Sequence, residues 1–470
     1  MRMVLFAIAW FASVAAAADY VVLDGTGSNQ RFKAAIGRLA DHRKAEVVAF
    51  DPHDLGKLKP QLAKRAPRFV ALVMEPEAID FNFQRRFLQM ATELDSDPFV
   101  DFAYGYITGA DGKEALALVE AGIAAVGRKR EPGLARVGGG VDRSMQSSYA
   151  VRLRGGSSYP VDRWVVAGEK NFPEAGRDRK FMKGFLGQLE NYPALLFIGH
   201  GWPREVVGGP DFETLKGLSL DGTVVLNVAC YTGVTHTYFE RDWRAGRMER
   251  KVIPLEESFC LGVLRSGAAG YTAYLCPRPA GPELDCDLSD LMIGGLDLGT
   301  VRRRDYDKTV LGFVGYGEER MRLEPIAEGA PLGRVTDPVR QMMLEGATGG
   351  VLFGDPALAP FEAQPERHPV AVEVVRPGGR LMQVNLSCPL LSLGLLCSDP
   401  TLRLGKVMAH KAYARVPIGT NSVRSVDLHT VRLGKKGNAA SASTGESPGT
   451  MSYWNPPEPL PAATGVLQIP

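Results

Sequence analysis

A chain of 470 residues with 45% hydrophobic and 23% charged content carries enough apolar side chain for a large core, divided by length into about three domains. Its 55 Lys and Arg against 53 Asp and Glu leave a formal net charge of +2. That balance removes the electrostatic reason to expect a nucleic-acid partner and points instead to a protein, a peptide or a small molecule.

Met1-Arg2, an apolar run from Val4 to Val14 and the small residues Ala15 to Ala18 have the form of a secretory signal peptide over 1–18, with cleavage expected after Ala17 or Ala18. The run falls short of the roughly 20 residues a membrane span needs. No later stretch is long and apolar enough, so no membrane insertion is expected after cleavage, and the chain reads as exported: secreted, periplasmic or held at the cell envelope. In an oxidising compartment its six cysteines should pair unless burial or chemistry keeps them free. Cys276 with Cys286 and Cys388 with Cys397 are near enough in sequence to bridge. Cys260 lies in an amphipathic stretch and reads as core, which leaves Cys230.

From Tyr20 to about Val126 strand and helix patterns alternate. Tyr20–Leu23, Glu46–Phe50 and Phe69–Met74 read as strands, with helices over Arg31–Leu39 and Asp54–Lys64. Phe81–Leu94 follows as a longer helix with Phe83, Phe87, Met90, Ala91 and Leu94 on one face. This is the grammar of a doubly wound α/β unit, here an N-terminal subdomain over 19–127. Asp24-Gly25-Thr26-Gly27-Ser28-Asn29-Gln30, with Asp51 closing the second strand, imitates a dinucleotide fingerprint. Gln30 stands where a third glycine would let the helix pack and pyrophosphate approach. A tight turn with Ser28 or Asn29 capping the helix is the better reading, and no cofactor is called for. Phe99–Ile107 reads as another strand before a helix from about Gly112. Asp101 is the acid of that run, either an outward-facing strand residue or, if turned inward, the acid of a substrate pocket.

Gly127–Gly156, rich in Arg, Gly and Ser, reads as a surface connection. Trp164–Ala167 as a strand and Asp178–Leu189 as a helix lead into two short apolar runs. The first is Ala194-Leu-Leu-Phe-Ile-Gly-His200-Gly201; the second is Thr223-Val-Val-Leu-Asn-Val-Ala-Cys230-Tyr-Thr-Gly233. In an open parallel sheet, residues just past the carboxyl ends of neighbouring strands share one crevice, the strands lying about 4.8 Å apart. Imidazole and thiol meeting there are an acyl-transfer pair. Taken singly, a strand-end cysteine is ordinarily a small buried hydrophobe and a histidine ordinarily structural; it is their joint position that points to chemistry. His236 is a second candidate base, with no strand before it. A helix over Leu255–Arg265 and a strand over Gly270–Leu275 complete a strand–helix–strand unit. Helices and loops fill Pro277–Thr336, and a further helix starts at Asp337-Pro338. Val351–Pro356 ends the α/β portion, giving a second subdomain over 128–365.

After Pro365 strands are expected over Val370–Val375, Leu381–Leu386, Leu402–Met408 and Ser425–Arg432, with no helix between them. These predict a small β-sandwich over 366–470, its final forty or so residues, rich in Gly, Ser, Pro and Ala, partly disordered.

Gly199-His200-Gly201 after a strand, then Asn227-Val-Ala-Cys230-Tyr-Thr-Gly233, the Glu257–Arg265 helix and the late Gly354-Asp355-Pro356, in this order and spacing, resemble the gingipain family of caspase-like cysteine peptidases. Residues 99–121 also resemble that family's strand before a helix, with Tyr106 where the family often carries arginine. The likeness runs over roughly Tyr20–Phe361, with the β-sandwich behind it. It implies a caspase-like, mostly parallel sheet, Cys230 as nucleophile, His200 as general acid/base, and the backbone N–H groups of Gly201 and Cys230 as an oxyanion hole. The implied activity is that of a cysteine endopeptidase acting on protein or peptide, with no metal and no cofactor. Asp162, Glu169 and Glu205 are the candidates for an acid that orients the histidine, and cleavage after a basic residue is an expectation inherited from the family. The competing class is a peptidase-like fold kept as a non-catalytic binding or scaffold protein of the cell envelope.

Overall fold

The computed structural model describes residues 19–94 and 100–126, strand and helix segments between 134 and 189, 192–277, 295–313, short pieces between 323 and 346, 348–362, and four strands beyond 371, with single positions excepted. The expected signal peptide, the Asp337-Pro338 helix start and the Leu402–Met408 strand lie outside the described residues.

Among the described residues ten strands form one sheet. In chain order they are β1 Tyr20–Asp24, β2 Glu46–Ala49, β3 Phe69–Val73, β4 Ala103–Ile107, β5 Leu134–Gly138, β6 Arg163–Val166, β7 Ala194–Ile198, β8 Val224–Asn227, β9 Gly270–Tyr274 and β10 Gly350–Gly354. Across the sheet they run β2-β1-β3-β4-β10-β9-β8-β7-β5-β6. β1–β4 run parallel to one another, as do β5–β9, and β10 between β4 and β9 runs antiparallel to β9 from Gly270↔Gly354 to Tyr274↔Gly350 and meets β4 at Phe353↔Tyr106. The two parallel groups, one in each half of the sheet, point the same way: the Thr235 hydroxyl beyond β8 donates to the Pro76 carbonyl beyond β3 at 2.6 Å. The expected α/β class with a mostly parallel sheet is what the described residues form. Within each half the chain lays its second strand on one side of the first and its third on the other, so the winding reverses between β1 and β3 and again between β5 and β7. Such reversals open a crevice at the carboxyl ends of the flanking strands.

β1, β3 and β4 are buried along their whole length. A strand covered on both faces shows no apolar–polar alternation, which is why these segments read as continuous apolar or aromatic runs. The first half is covered by α3 Phe81–Ala91, the third helix after α1 Lys33–Arg43 and α2 Leu55–Arg65. Asp80 caps α3 by accepting the Phe83 N–H at 2.7 Å, and Phe87 meets Tyr104 edge-on at 5.0 Å. Gln84 makes this aromatic core chemically consistent: its amide donates to Tyr104 Oη at 2.9 Å and accepts from Tyr106 Oη at 2.7 Å. Buried phenols without such partners would be costly.

The structure adds elements that the sequence pattern leaves unannounced. Leu134–Gly138, inside the stretch read as a surface connection, is an interior strand between β7 and β6. Five residues flanked by Gly and Arg carry too little pattern to announce a strand, and only its partners define it. Past the Cys230 loop, Thr237–Asp242 and Arg247–Val252 form an antiparallel hairpin. Beyond the α/β portion, β11 Ala371–Val375, β12 Met382–Cys388, β13 Asp427–Leu433 and β14 Ala463–Ile469 make one antiparallel sheet in the order β11-β12-β14-β13. Among the described residues this is a single sheet, without the second layer a β-sandwich requires. Its β14 falls in the segment expected to be partly disordered, yet pairs on both sides, with β12 and β13.

The cysteines are corrected as well. Cys276 is a free thiol, not half of a bridge to Cys286. It is buried, and its Sγ donates to the Glu345 carbonyl at 3.1 Å. Cys286 and Cys397 lie outside the described residues. Among the described residues no helix is long and apolar enough to cross a membrane.

Candidate active site

β7 and β8 are aligned with Leu196 beside Leu226 and Phe197 beside Asn227, and the Val228 N–H continues the ladder to the Phe197 carbonyl at 2.9 Å. His200 and Cys230 each lie three positions past that last aligned pair, at the carboxyl ends of adjacent parallel strands. They leave the sheet on one rim. A Cβ placed on Gly201 would fall 2.5 Å from the Cys230 carbonyl oxygen and 2.7 Å from Ala229 Cβ, so only glycine lets the chain after the histidine lie against the cysteine loop. The imidazole is exposed and the thiol half-buried. Cys230 is in no disulfide.

The histidine's backbone is fixed by the short hairpin Gly201–Trp202 with Glu205–Val206, and the His200 carbonyl accepts the Val207 N–H at 2.8 Å. The cysteine loop is tied from beneath by a buried polar chain. Asn227 accepts the Ala229 N–H at 2.8 Å and donates to Tyr271 Oη at 2.9 Å. Tyr271 donates to the Thr232 carbonyl at 3.0 Å, and the Thr232 hydroxyl donates to the Ala229 carbonyl at 2.8 Å. Burial pushes the Tyr271 phenol well above its ordinary range, so it remains a neutral donor in this chain.

Tyr231, directly after the cysteine, has φ 59°, a left-handed conformation that costs a residue with a Cβ about 1–2 kcal/mol. Packing holds it there. Its ring stacks on Trp202 at 5.9 Å with an interplanar angle of 2°, meets Tyr238 edge-on at 5.6 Å, and its hydroxyl donates to the Phe239 carbonyl at 3.2 Å. Strain maintained by surrounding contacts next to a candidate nucleophile fixes the direction in which that side chain leaves the loop. Sequence reasoning missed Asn227, Tyr231 and Trp202 as site residues; the one available signal was the pair of aromatics immediately beyond the two chemical groups.

The three described thiols differ. Burial raises the Cys260 thiol well above its ordinary range, and burial together with the Glu345 carboxylate does the same to Cys276. Both are thereby held protonated. Cys276 continues β9 as Cys230 continues β8, and the Tyr231 N–H donates to its carbonyl at 3.3 Å.

The other described candidates are engaged in contacts of their own. Asp101 precedes β4 and accepts the Leu94 N–H at 3.0 Å. It lies before the amino end of β4, on the rim opposite Cys230, and β4 stands three strand spacings from β8, about 14 Å. His236 has its Nδ1 3.0 Å from the Thr237 hydroxyl. Glu205 is exposed, opposite Trp202 in the hairpin; Asp162 and Glu169 lie outside the described residues. Asp355 of the Gly354-Asp355-Pro356 motif is a buried clasp on the opposite rim, accepting Tyr20 Oη at 2.8 Å and Arg43 Nε at 2.7 Å.

The fingerprint-like loop after β1 is occupied by its own side chains. Asp24 accepts the Thr26 N–H at 3.1 Å, the Thr26 hydroxyl at 2.6 Å and the Lys33 ammonium at 2.6 Å. Asn29 caps the following turn through the Arg31 N–H at 3.0 Å and donates to Glu75. Two carboxylates at this strand end repel the phosphates a dinucleotide site must attract. Among the described residues no group of His, Cys, Asp and Glu has the arrangement of a metal site.

No protein-family profile matches the sequence, and no curated protein matches it. Among solved structures, the complex of Porphyromonas gingivalis RgpB pro- and mature domains is similar to this chain at 11% sequence identity and a TM-score of 0.44, over 78% of this chain and 86% of that one.

Proposed function

We propose that the protein is an exported cysteine endopeptidase that cleaves protein or peptide substrates with Cys230 as nucleophile and His200 as general acid/base. One observation carries this reading: the matched positions of the two side chains past adjacent parallel strands, with the Gly201 backbone against that of Cys230. The Cys230 thiolate attacks the scissile carbonyl carbon, and the carbonyl π electrons move onto oxygen. The backbone N–H groups of Gly201 and Cys230 receive that oxyanion, worth several kcal/mol to the tetrahedral intermediate. The carbonyl re-forms as the C–N bond breaks, and the imidazolium gives the departing amine its proton. Water, deprotonated by the now neutral imidazole, attacks the thioester and frees the acid and the thiolate. Tyr231 and the Asn227–Tyr271–Thr232 chain position the thiol without touching substrate.

The full chain is expected to hydrolyse peptide amides, and Cys230→Ala to remove turnover while leaving the thermal unfolding midpoint unchanged. Full activity in that variant would eliminate the mechanism. Peptide mapping after iodoacetamide treatment is expected to find Cys230 alkylated ahead of Cys260 and Cys276, because the latter two are buried and held protonated. Equal or reversed labelling would argue against an activated Cys230.

A further inference from the structure

Among the described residues four large hydrophobic side chains are substantially exposed: Val47, Trp202, Val207 and Val252. Two of them, Trp202 and Val207, belong to the hairpin that starts directly after His200. Trp202 is 45% exposed although one face of its indole lies flat on Tyr231, the residue after Cys230. Its ring is thus fixed from below by the cysteine loop and open above, one residue from the glycine that touches the Cys230 carbonyl. An open indole face next to a reactive thiol is a surface prepared for something apolar.

We infer that Trp202 is a specificity-determining residue, forming with Val207 an apolar subsite beside Cys230 that receives an aliphatic or aromatic side chain flanking the scissile bond. The inference rests on the peptidase reading above and deepens it. The occupant follows from continuity with the His200–Cys230 gap and from the charges around it. Arg204 is paired with Glu257, and Lys251 with Glu240 at 2.6 Å, so neither leaves an uncompensated charge to draw an ionic side chain. Glu205, across the hairpin from Trp202, is solvent-exposed, where its pull on a cation is weak and salt-screened. Contact with the indole face suffers no such screening. The platform is also pre-organised: the Tyr231 stack and the Val207 bond to the His200 carbonyl set the indole before substrate arrives, so little ordering is left to oppose binding.

The test uses N-acetylated, C-amidated peptides Ala-Ala-X-Ala-Ala with X as Leu, Phe, Ala, Lys or Asp, and the full chain. Calorimetry on the Cys230→Ala protein reads binding without cleavage, and kcat/KM on the wild type reads the same series in turnover. Leu and Phe peptides are expected to exceed the Ala peptide on the order of tenfold in both. Trp202→Ala is expected to erase that gap, so that Leu, Phe and Ala peptides become equal within the variant, and Trp202→Phe to retain most of it. Equal values across X, a preference for Lys or Asp, or a gap that survives Trp202→Ala overturns the subsite. The two readings fail separately. Hydrolysis without discrimination removes the subsite and keeps the peptidase, whereas discriminated binding with no hydrolysis by the wild type removes the peptidase and keeps an apolar peptide-binding site.

Discussion

The two halves of the sheet are wound alike and end differently. In the first, the reversal between β1 and β3 is closed: Asp24 is engaged by Thr26 and Lys33, Asn29 is tied to Glu75, and a Cβ on Gly25 would meet the Phe50 ring at 2.7 Å. In the second, the reversal between β5 and β7 leads to an exposed imidazole, a half-buried thiol and a tyrosine held in left-handed backbone. The strand order supplies a crevice to both. Whether it is filled with structural hydrogen bonds or left open is decided by a handful of side chains past the strand ends. A site here is therefore a property of side chains, not of winding.

The sharpest way to break the comparison is to remove chemistry from one half only. His200→Ala is expected to lower kcat/KM on the order of 10³-fold or more, with the unfolding midpoint unchanged. A variant retaining more than a tenth of wild-type turnover would place the base elsewhere, with His236 next to be tested. A second cut goes through the support beneath the thiol. Asn227→Leu strips the Ala229 amide and Tyr271 hydroxyl of their partner, at an expected loss of about 1–3 kcal/mol in urea unfolding and with a fall in turnover. Asp24→Asn in the first half is expected to lower stability while turnover is kept; parallel losses of turnover in both variants would erase the distinction between the halves.

Acid should act on the first half through Asp24. Burial alone would raise that carboxyl, but the Lys33 ammonium and the Thr26 hydroxyl and amide outweigh it and hold the group below its ordinary range. A folded pKa below the unfolded value of about 3.9 contributes stability that is complete above that value and lost as pH falls through the folded pKa. The urea midpoint of wild type is therefore expected to drop more steeply below about pH 4 than that of Asp24→Asn; identical slopes would mean the pairing contributes nothing. The smallest effect concerns left-handed residues. Ala66, which ends α2 with φ 45°, has only backbone strain to lose, and Ala66→Gly is expected to stabilise by about 0.5 kcal/mol after the greater unfolded-state entropy of glycine is counted. Tyr231→Gly relieves the same strain but loses a stack and a buried ring, and is expected to destabilise by thermal melt and to slow turnover. If both variants gained stability, Tyr231 would not be held for a purpose.

Much of this was legible one strand at a time. Fully buried runs such as Tyr20–Asp24 and Phe69–Val73 and the one-sided apolar face of Phe81–Ala91 announce themselves, because burial on two faces or on one leaves a periodic record in the sequence. His200 and Cys230 could be singled out because each ends such a run. Leu134–Gly138 and Ala463–Ile469 could not be found, for their stability comes from partners on both sides rather than from their own composition. The same holds for Cys276, whose burial depends on distant Glu345 and Gly349.

The sequence by itself determined the α/β alternation, the near-neutral charge and the two chemical groups at strand ends, since these depend on residue types and short-range period. Only the tertiary structure decided that β10 enters the middle of the sheet running against β9, that Gly201 lies on the Cys230 carbonyl, and that Tyr231 is held left-handed beneath Trp202. Register and close approach arise from pairing between segments far apart in the chain, and no local pattern encodes them.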